Sequence, residues 1–274
     1  MKCPNCGTEN EANARYCASC GVNLPDEKEA RAADGAMKAV TTGGFVFGKK
    51  AREARIKEIV DPSAVISVQA YNAVIGAVLL WGLLINYLLC SKVTTIATLF
   101  PNMNPIVFAL VYIVVVMIGV GITVKAQSPL VSFLGYNIVV IPFGLVISTL
   151  VQHYGGVSSE VVTQAFLYTL LIGAAILATV IFFPKAFEKL GRALGVALLG
   201  LILCEIILLI IGARQQWISW IAAALFSLYL GYDFYRSQQY PKTVKNAVAS
   251  AMDIYMDLAN LFIRLLSILG NRRD

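Results

Sequence analysis

Charge is what this sequence has least of. Of its 274 residues only 14% are Asp, Glu, Lys or Arg, whereas 58% are hydrophobic and the mean hydropathy is +0.73. Soluble domains average about 25% charged residues, so the deficit excludes a water-soluble globule and leaves an integral membrane protein. Histidine is scarcer still: His153 stands alone beside Gly155-Gly156, where a solvated loop side chain is expected and a metal ligand is not. No secretory signal precedes the first cysteines in Met1-Lys2-Cys3-Pro4-Asn5-Cys6, so an unexported, cytoplasmic N-terminus is the expectation. The net charge of +6 then belongs to loop residues that orient the chain in a membrane, not to a nucleic-acid surface.

The six cysteines divide by position. Cys90 and Cys204 lie singly in apolar stretches and read as small core hydrophobes. Cys3, Cys6, Cys17 and Cys20 form two CxxC knuckles, each followed directly by glycine (Gly7, Gly21) where the backbone must turn. Two such knuckles complete a tetrahedral four-thiolate zinc site; two redox-active dithiols or a disulfide pair are the competing reading. Residues 1–24 therefore read as a zinc ribbon. A module this short has no adequate core, so structural zinc must supply its folding energy. Residues 1–35 hold Lys2, Arg15, Lys28 and Arg31 against Glu9, Glu11, Asp26, Glu27, Glu29 and Asp34. An acidic ribbon suits a protein partner better than phosphate backbones. Residues 25–64 read as a linker that ends in a basic juxtamembrane segment (Lys49 to Val60), either lying on the anionic leaflet or solvated.

Seven apolar stretches follow, approximately 69–90, 105–124, 130–151, 161–183, 193–212, 216–234 and 247–269, each near the ~20 residues that cross a bilayer core. Turn chemistry separates them at Pro101-Asn102, Ser128-Pro129, Gly155-Gly156, Pro184-Lys185 and Tyr240-Pro241. Pro142 and Gly144 interrupt the third stretch and predict a kink in it. Lys125, then Lys185, Lys189 and Arg192, then Arg236, Lys242 and Lys245 mark the inner loops, in agreement with a cytoplasmic N-terminus.

The last stretch departs from the pattern. Ser250, Asp253, Asp257, Asn260, Arg264 and Ser267 recur at steps of three or four and so share one helical face. An ionisable group at mid-bilayer costs roughly 2.5–3.5 kcal/mol on insertion scales, so this seam should look into a bundle interior. Asp253 and Arg264 are candidates for an ion pair within it, and Glu205 in the fifth stretch is a lone acid that pairs with Arg264 or lines the same cavity. Asp233 ends the sixth stretch. If it meets Asp257 across the hairpin, the two carboxylates share a proton, titrate as a pair and can take a divalent cation.

Gly231-Tyr232-Asp233, followed by Ala251-Met252-Asp253-Ile254-Tyr255-Met256-Asp257-Leu258-Ala259-Asn260-Leu261-Phe262, resembles the signature end of the Bax inhibitor-1 family. Gln164 to Thr169 and Lys185 to Gly191 support the likeness, which covers residues 65–270. The resemblance implies an all-α integral membrane protein, a seven-helix transmembrane bundle around a central last helix. It also implies a pH-sensitive calcium leak in which Asp233 and Asp257 gate the path, with Asp253, Asn260, Arg264 and Glu205 lining it. Some members pair an acid in the second span with an arginine late in the last helix; residues 105–124 here contain no acid. The expectation is thus a multi-pass, non-enzymatic cell-membrane protein that works on Ca2+ and protons. The alternative is a membrane regulator or scaffold, for example of a membrane protease, docked through the ribbon. An aspartyl protease is rejected, because Ile254-Tyr255-Met256 replaces the Gly-x-Gly expected before its second aspartate.

Overall fold

The computed structural model describes residues 9, 55–56, 60–92, 95–100, 104–211 and 216–271. The four predicted zinc ligands Cys3, Cys6, Cys17 and Cys20 lie outside the described residues. The chain divides into two compact units, residues 1–67 with 240–243, and residues 68–239 with 244–274.

In the first unit Val65 forms an isolated antiparallel bridge with Thr243, and the Ile66 N–H donates to the Lys242 carbonyl at 2.8 Å. Arg55, counted above among the basic residues of a surface segment, is instead buried, with its guanidinium carbon 4.1 Å from the centre of the Tyr240 ring. A cation desolvated on an aromatic face is worth more than one in water. Asp61 opens a 3-10 turn over Pro62–Ala64. The Ser63 N–H and Oγ donate to Asp61 Oδ1 at 2.9 and 2.8 Å and hold this exposed carboxyl below the usual carboxylate range.

Among the described residues the second unit has seven long helices: α1 (Val68–Ser91), α2 (Pro105–Lys125), α3 (Pro129–His153), α4 (Glu160–Phe182), α5 (Gly191–Ile210), α6 (Gln216–Ser237) and α7 (Val244–Gly270). Short helical turns at Ile96–Leu99 and Pro184–Glu188 interrupt the connections. The predicted breaks supply the caps. Ser128 Oγ accepts from the Val131 N–H at 3.3 Å with Pro129 at the first helical position, and Gly155 and Gly156 take φ of 94° and 83° after α3, backbone that glycine adopts without strain. Pro142 is accommodated inside α3, which continues as one helix.

Among the described residues five of the seven expected spans are long and apolar enough to cross a membrane by length and composition: Val68–Ser91, Val107–Lys125, Pro129–His153, Glu160–Phe182 and Gly191–Leu208. The last two helices reach spanning length, at 22 and 27 residues, but are less apolar. The reason is their environment. α7 packs against α1, α2, α3, α4 and α6, so its surface meets protein and has no need to be apolar toward lipid. Ile254, Leu261, Leu266 and Ile268 are as deeply buried as Ser250, and the helix is enclosed on its apolar side as well as along its polar seam. Outward-facing side chains such as Leu80, Val114, Phe182 and Val196 are exposed, an apolar surface too extensive for water. Cys204 belongs to this exposed surface, not to the core; Cys90 is buried as expected.

Several glycines permit close helix approach, Gly135 and Gly82 among them. A Cβ on Gly135 would meet the Thr123 backbone nitrogen at 2.7 Å and the Gly119 carbonyl oxygen at 2.9 Å, so α2 and α3 touch backbone to backbone. A Cβ on Gly82 would collide with the Tyr136 hydroxyl, which passes over it to donate to the Val78 carbonyl at 2.8 Å.

Candidate functional site

The polar seam of α7 is engaged at both ends by charged partners from neighbouring helices. Near the α6–α7 turn, Arg236 Nη1 donates to Asp233 Oδ1 at 2.8 Å, one turn back on the same helix. Its Nη2 lies 3.9 Å from Asp253 Oδ2 on α7. All three side chains are largely buried, 9%, 11% and 19% exposed in the order Arg236, Asp233, Asp253. Arg236, expected as an orientation-setting loop charge, is thus the counter-ion of two acids from neighbouring helices. The last turn of α6 favours it there, because the exposed carbonyls of a helix C-terminus attract a cation.

Farther along α7, Arg264 Nη2 pairs with Glu205 Oε1 of α5 at 2.6 Å, with side chains 22% and 32% exposed. Arg264 is the partner of Glu205, one of the two possibilities left by the sequence. The predicted Asp253–Arg264 pair does not form: each of the two finds its counter-ion on another helix. Asp257 lies between these two ion-pair groups, roughly 6 Å along the axis from Asp253 and roughly 10 Å from Arg264, and is 6% exposed. Asn260 donates to the Met256 carbonyl at 2.8 Å and so spends its amide on its own helix.

On another side of α7 lies a second polar group that sequence reasoning missed. Asn86 Nδ2 of α1 lies 2.9 Å from the Tyr255 hydroxyl, whose ring stands edge-on to Tyr136 and Phe143 at 5.8 and 6.0 Å between centroids. Tyr71, also of α1, donates to the Ser237 carbonyl at 3.0 Å and pairs with Ser250 Oγ at 3.0 Å, so one buried hydroxyl ties α1 to both helices of the C-terminal hairpin. The available signal was a polar residue in an otherwise apolar stretch: Asn86 stands in Leu83-Leu84-Ile85-Asn86-Tyr87-Leu88. His153 is exposed and ends α3 against the Tyr154 ring.

Among the described residues no group of three His, Cys, Asp or Glu side chains stands ready to hold a metal ion. What the seam offers is a row of carboxylates and guanidinium groups enclosed by apolar helices.

An all-helical, multi-pass membrane protein arranged around a polar central helix is the class that this fold and seam define. The chain belongs to the family described as Inhibitor of apoptosis-promoting Bax1, whose model matches residues 66–274. A second model, a domain of unknown function, matches residues 1–25. The chain is similar to an uncharacterized protein of Helicobacter pylori, 34% identical over 85 residues, covering 30% of this chain and 36% of that protein. It is also similar to an uncharacterized protein of Campylobacter jejuni, 32% identical over 129 residues, covering 46% of this chain and 53% of that protein. The chain thus spans between about a third and a half of the length of the curated relatives it matches.

Proposed function

We propose that this chain is a proton-regulated leak pathway for cations, Ca2+ among them, gated by Asp233 and Asp257. The observation that carries the proposal is the convergence of Asp233 from α6 and Asp253 from α7 on one guanidinium, with Asp257 buried one turn deeper on the central helix. Buried carboxylates in a membrane helix are costly and belong where protons or cations pass. Carboxylate oxygens also suit a hard cation such as Ca2+. Protonation of Asp233 or Asp257 would close or open the path by changing which partners these acids keep. The Glu205–Arg264 pair lies on the other side of Asp257 and adds a second charged contact along the same helix.

The test is Ca2+ flux into proteoliposomes at several pH values for the wild-type chain and Asp257→Asn. The expected result is a pH-dependent leak whose pH dependence is lost in the variant. A variant leak with the wild-type pH profile would refute the role of Asp257, and a wild-type chain with no flux at any pH would leave the scaffold reading in its place.

In this reading residues 1–24 hold one structural zinc through Cys3, Cys6, Cys17 and Cys20, on the cytoplasmic side, and present an acidic surface to a protein partner. The support is the spacing of the two CxxC knuckles. Metal analysis of the purified chain should find about one zinc per chain, lost in Cys17→Ser, in line with a single four-thiolate site.

A further inference from the structure

We infer that the connection between α4 and α5 is a binding site for anionic phospholipid. Lys185, Lys189 and Arg192 are the cations that meet its phosphate, and Phe182 and Phe183 are the rings that meet its acyl chains. Such a site is independent of the cation pathway.

Phe182 and Phe183 are 75% and 65% exposed at the end of α4, a helix long and apolar enough to cross the membrane. Rings this open at the end of a membrane helix gain by burial among acyl chains. Lys185, Lys189 and Arg192 follow at steps of four and three, and all three are exposed. Among the described residues none of the three is in an ion pair. Glu188 is the single acid within residues 181–192 and is outnumbered by these cations. Their long side chains can lay aliphatic stems along lipid and carry the charge to headgroup level. One lipid molecule supplies both complements, acyl chains for the rings and a phosphate for the cations.

The connection is also pinned to α6. Phe187, 4% exposed, turns inward between Lys185 and Lys189 and lies against Gly231, where a Cβ would collide with its ring. At Gly191 a Cβ would collide with the Tyr232 side chain. The backbone is held by α6 on both sides of Lys189, and the cations are left on the outer surface. Positive charge that only orients a chain during insertion acts wherever it stands in a loop. That role ends once the chain has folded and needs no bound lipid. A lipid site instead persists in the purified protein, where each cation strengthens binding of an anionic headgroup roughly fivefold.

The experiment titrates the purified full chain, in an uncharged detergent, with phosphatidylglycerol and separately with phosphatidylcholine, and reads the shift in Tm. Phosphatidylglycerol is expected to raise the Tm of the wild type more than phosphatidylcholine does. In Lys185→Gln/Lys189→Gln/Arg192→Gln the midpoint of that titration should move to about a hundredfold higher lipid, at about fivefold per cation. Lys92→Gln, which removes an exposed cation just beyond α1, should titrate like the wild type. Absence of a phosphatidylglycerol shift, equal shifts from the two lipids, an unmoved midpoint in the triple variant, or an equal loss in Lys92→Gln would each overturn the inference. A comparable shift from inorganic phosphate alone would assign the cations to a soluble anion and overturn the lipid site. If the triple variant does not fold, the three single variants replace it, each with a midpoint about fivefold higher; three unmoved midpoints overturn the inference.

Discussion

Glu205 on α5 and Arg264 on α7 meet at 2.6 Å, and with this contact α5, whose main packing partner is α6, also reaches the central helix. Each residue is a lone charge in an apolar stretch of its own helix. Together they form an inter-helix pair that is partly exposed.

Breaking this pair should cost less than breaking a fully buried one and more than removing a surface one. Glu205→Gln is expected to lower stability by about 2 kcal/mol, because Arg264 then keeps its charge without its partner. The double variant Glu205→Gln/Arg264→Gln should be less destabilised than the sum of the two single variants. Denaturant titration of the four chains of the cycle in mixed micelles reads this directly; strict additivity would mean that the contact contributes nothing.

Tyr255→Phe removes the hydroxyl that meets Asn86 and leaves a buried amide short of a partner. The expected loss is about 1–2 kcal/mol. The ring still packs edge-on against Tyr136 and Phe143, so helix content by circular dichroism should not change. A variant as stable as the wild type would show that Asn86 finds another partner.

Two glycines of α1 should respond oppositely to alanine. At Gly82 a Cβ collides with the Tyr136 hydroxyl and displaces it from the Val78 carbonyl, for an expected loss of about 2–3 kcal/mol. At Gly76 a Cβ meets nothing within 4 Å, and alanine should be neutral or up to about 1 kcal/mol stabilising. Thermal unfolding of the two variants side by side separates them; equal behaviour would contradict the packing described.

Asp61 lies outside the membrane helices, and its carboxyl titrates below the usual range because Ser63 donates to it from backbone and side chain. A carboxyl with a depressed folded-state pKa contributes stability above its unfolded pKa, and that contribution is lost as pH falls through the folded value. Ser63→Ala removes the hydroxyl donor, so the Asp61 titration midpoint should move upward in an NMR titration. An unmoved midpoint would assign the shift to the backbone donor alone.

The course of the helices could be read from the sequence because hydrophobic length and turn residues are local signals. Ser128-Pro129 and Gly155-Gly156 became a helix cap and a left-handed turn where they were expected. The polar seam on α7 was legible through its spacing of three and four. Of the partners along it, only Glu205 for Arg264 was among the possibilities the sequence left. Arg236 is three residues beyond Asp233 and reads as another basic residue of an inner loop until the packing of α6 on α7 brings Asp253 to it. Asp253 and Arg264 share a face but stand about 16 Å apart along one helix, so each has its counter-ion on another helix. Cys204 showed the same limit: an apolar stretch does not say which of its faces meets lipid.

The helix with the most neighbours follows all of them in the chain. Tyr71 and Asn86 emerge from the ribosome long before Ser250 and Tyr255 exist to meet them, so the first span must wait in the bilayer without these polar contacts. Two carboxylates and a guanidinium also make α7 a poor candidate for unaided partitioning into lipid. Its entry is therefore best understood as docking into a groove kept open by its predecessors, and completion of the bundle becomes a late, post-translational event.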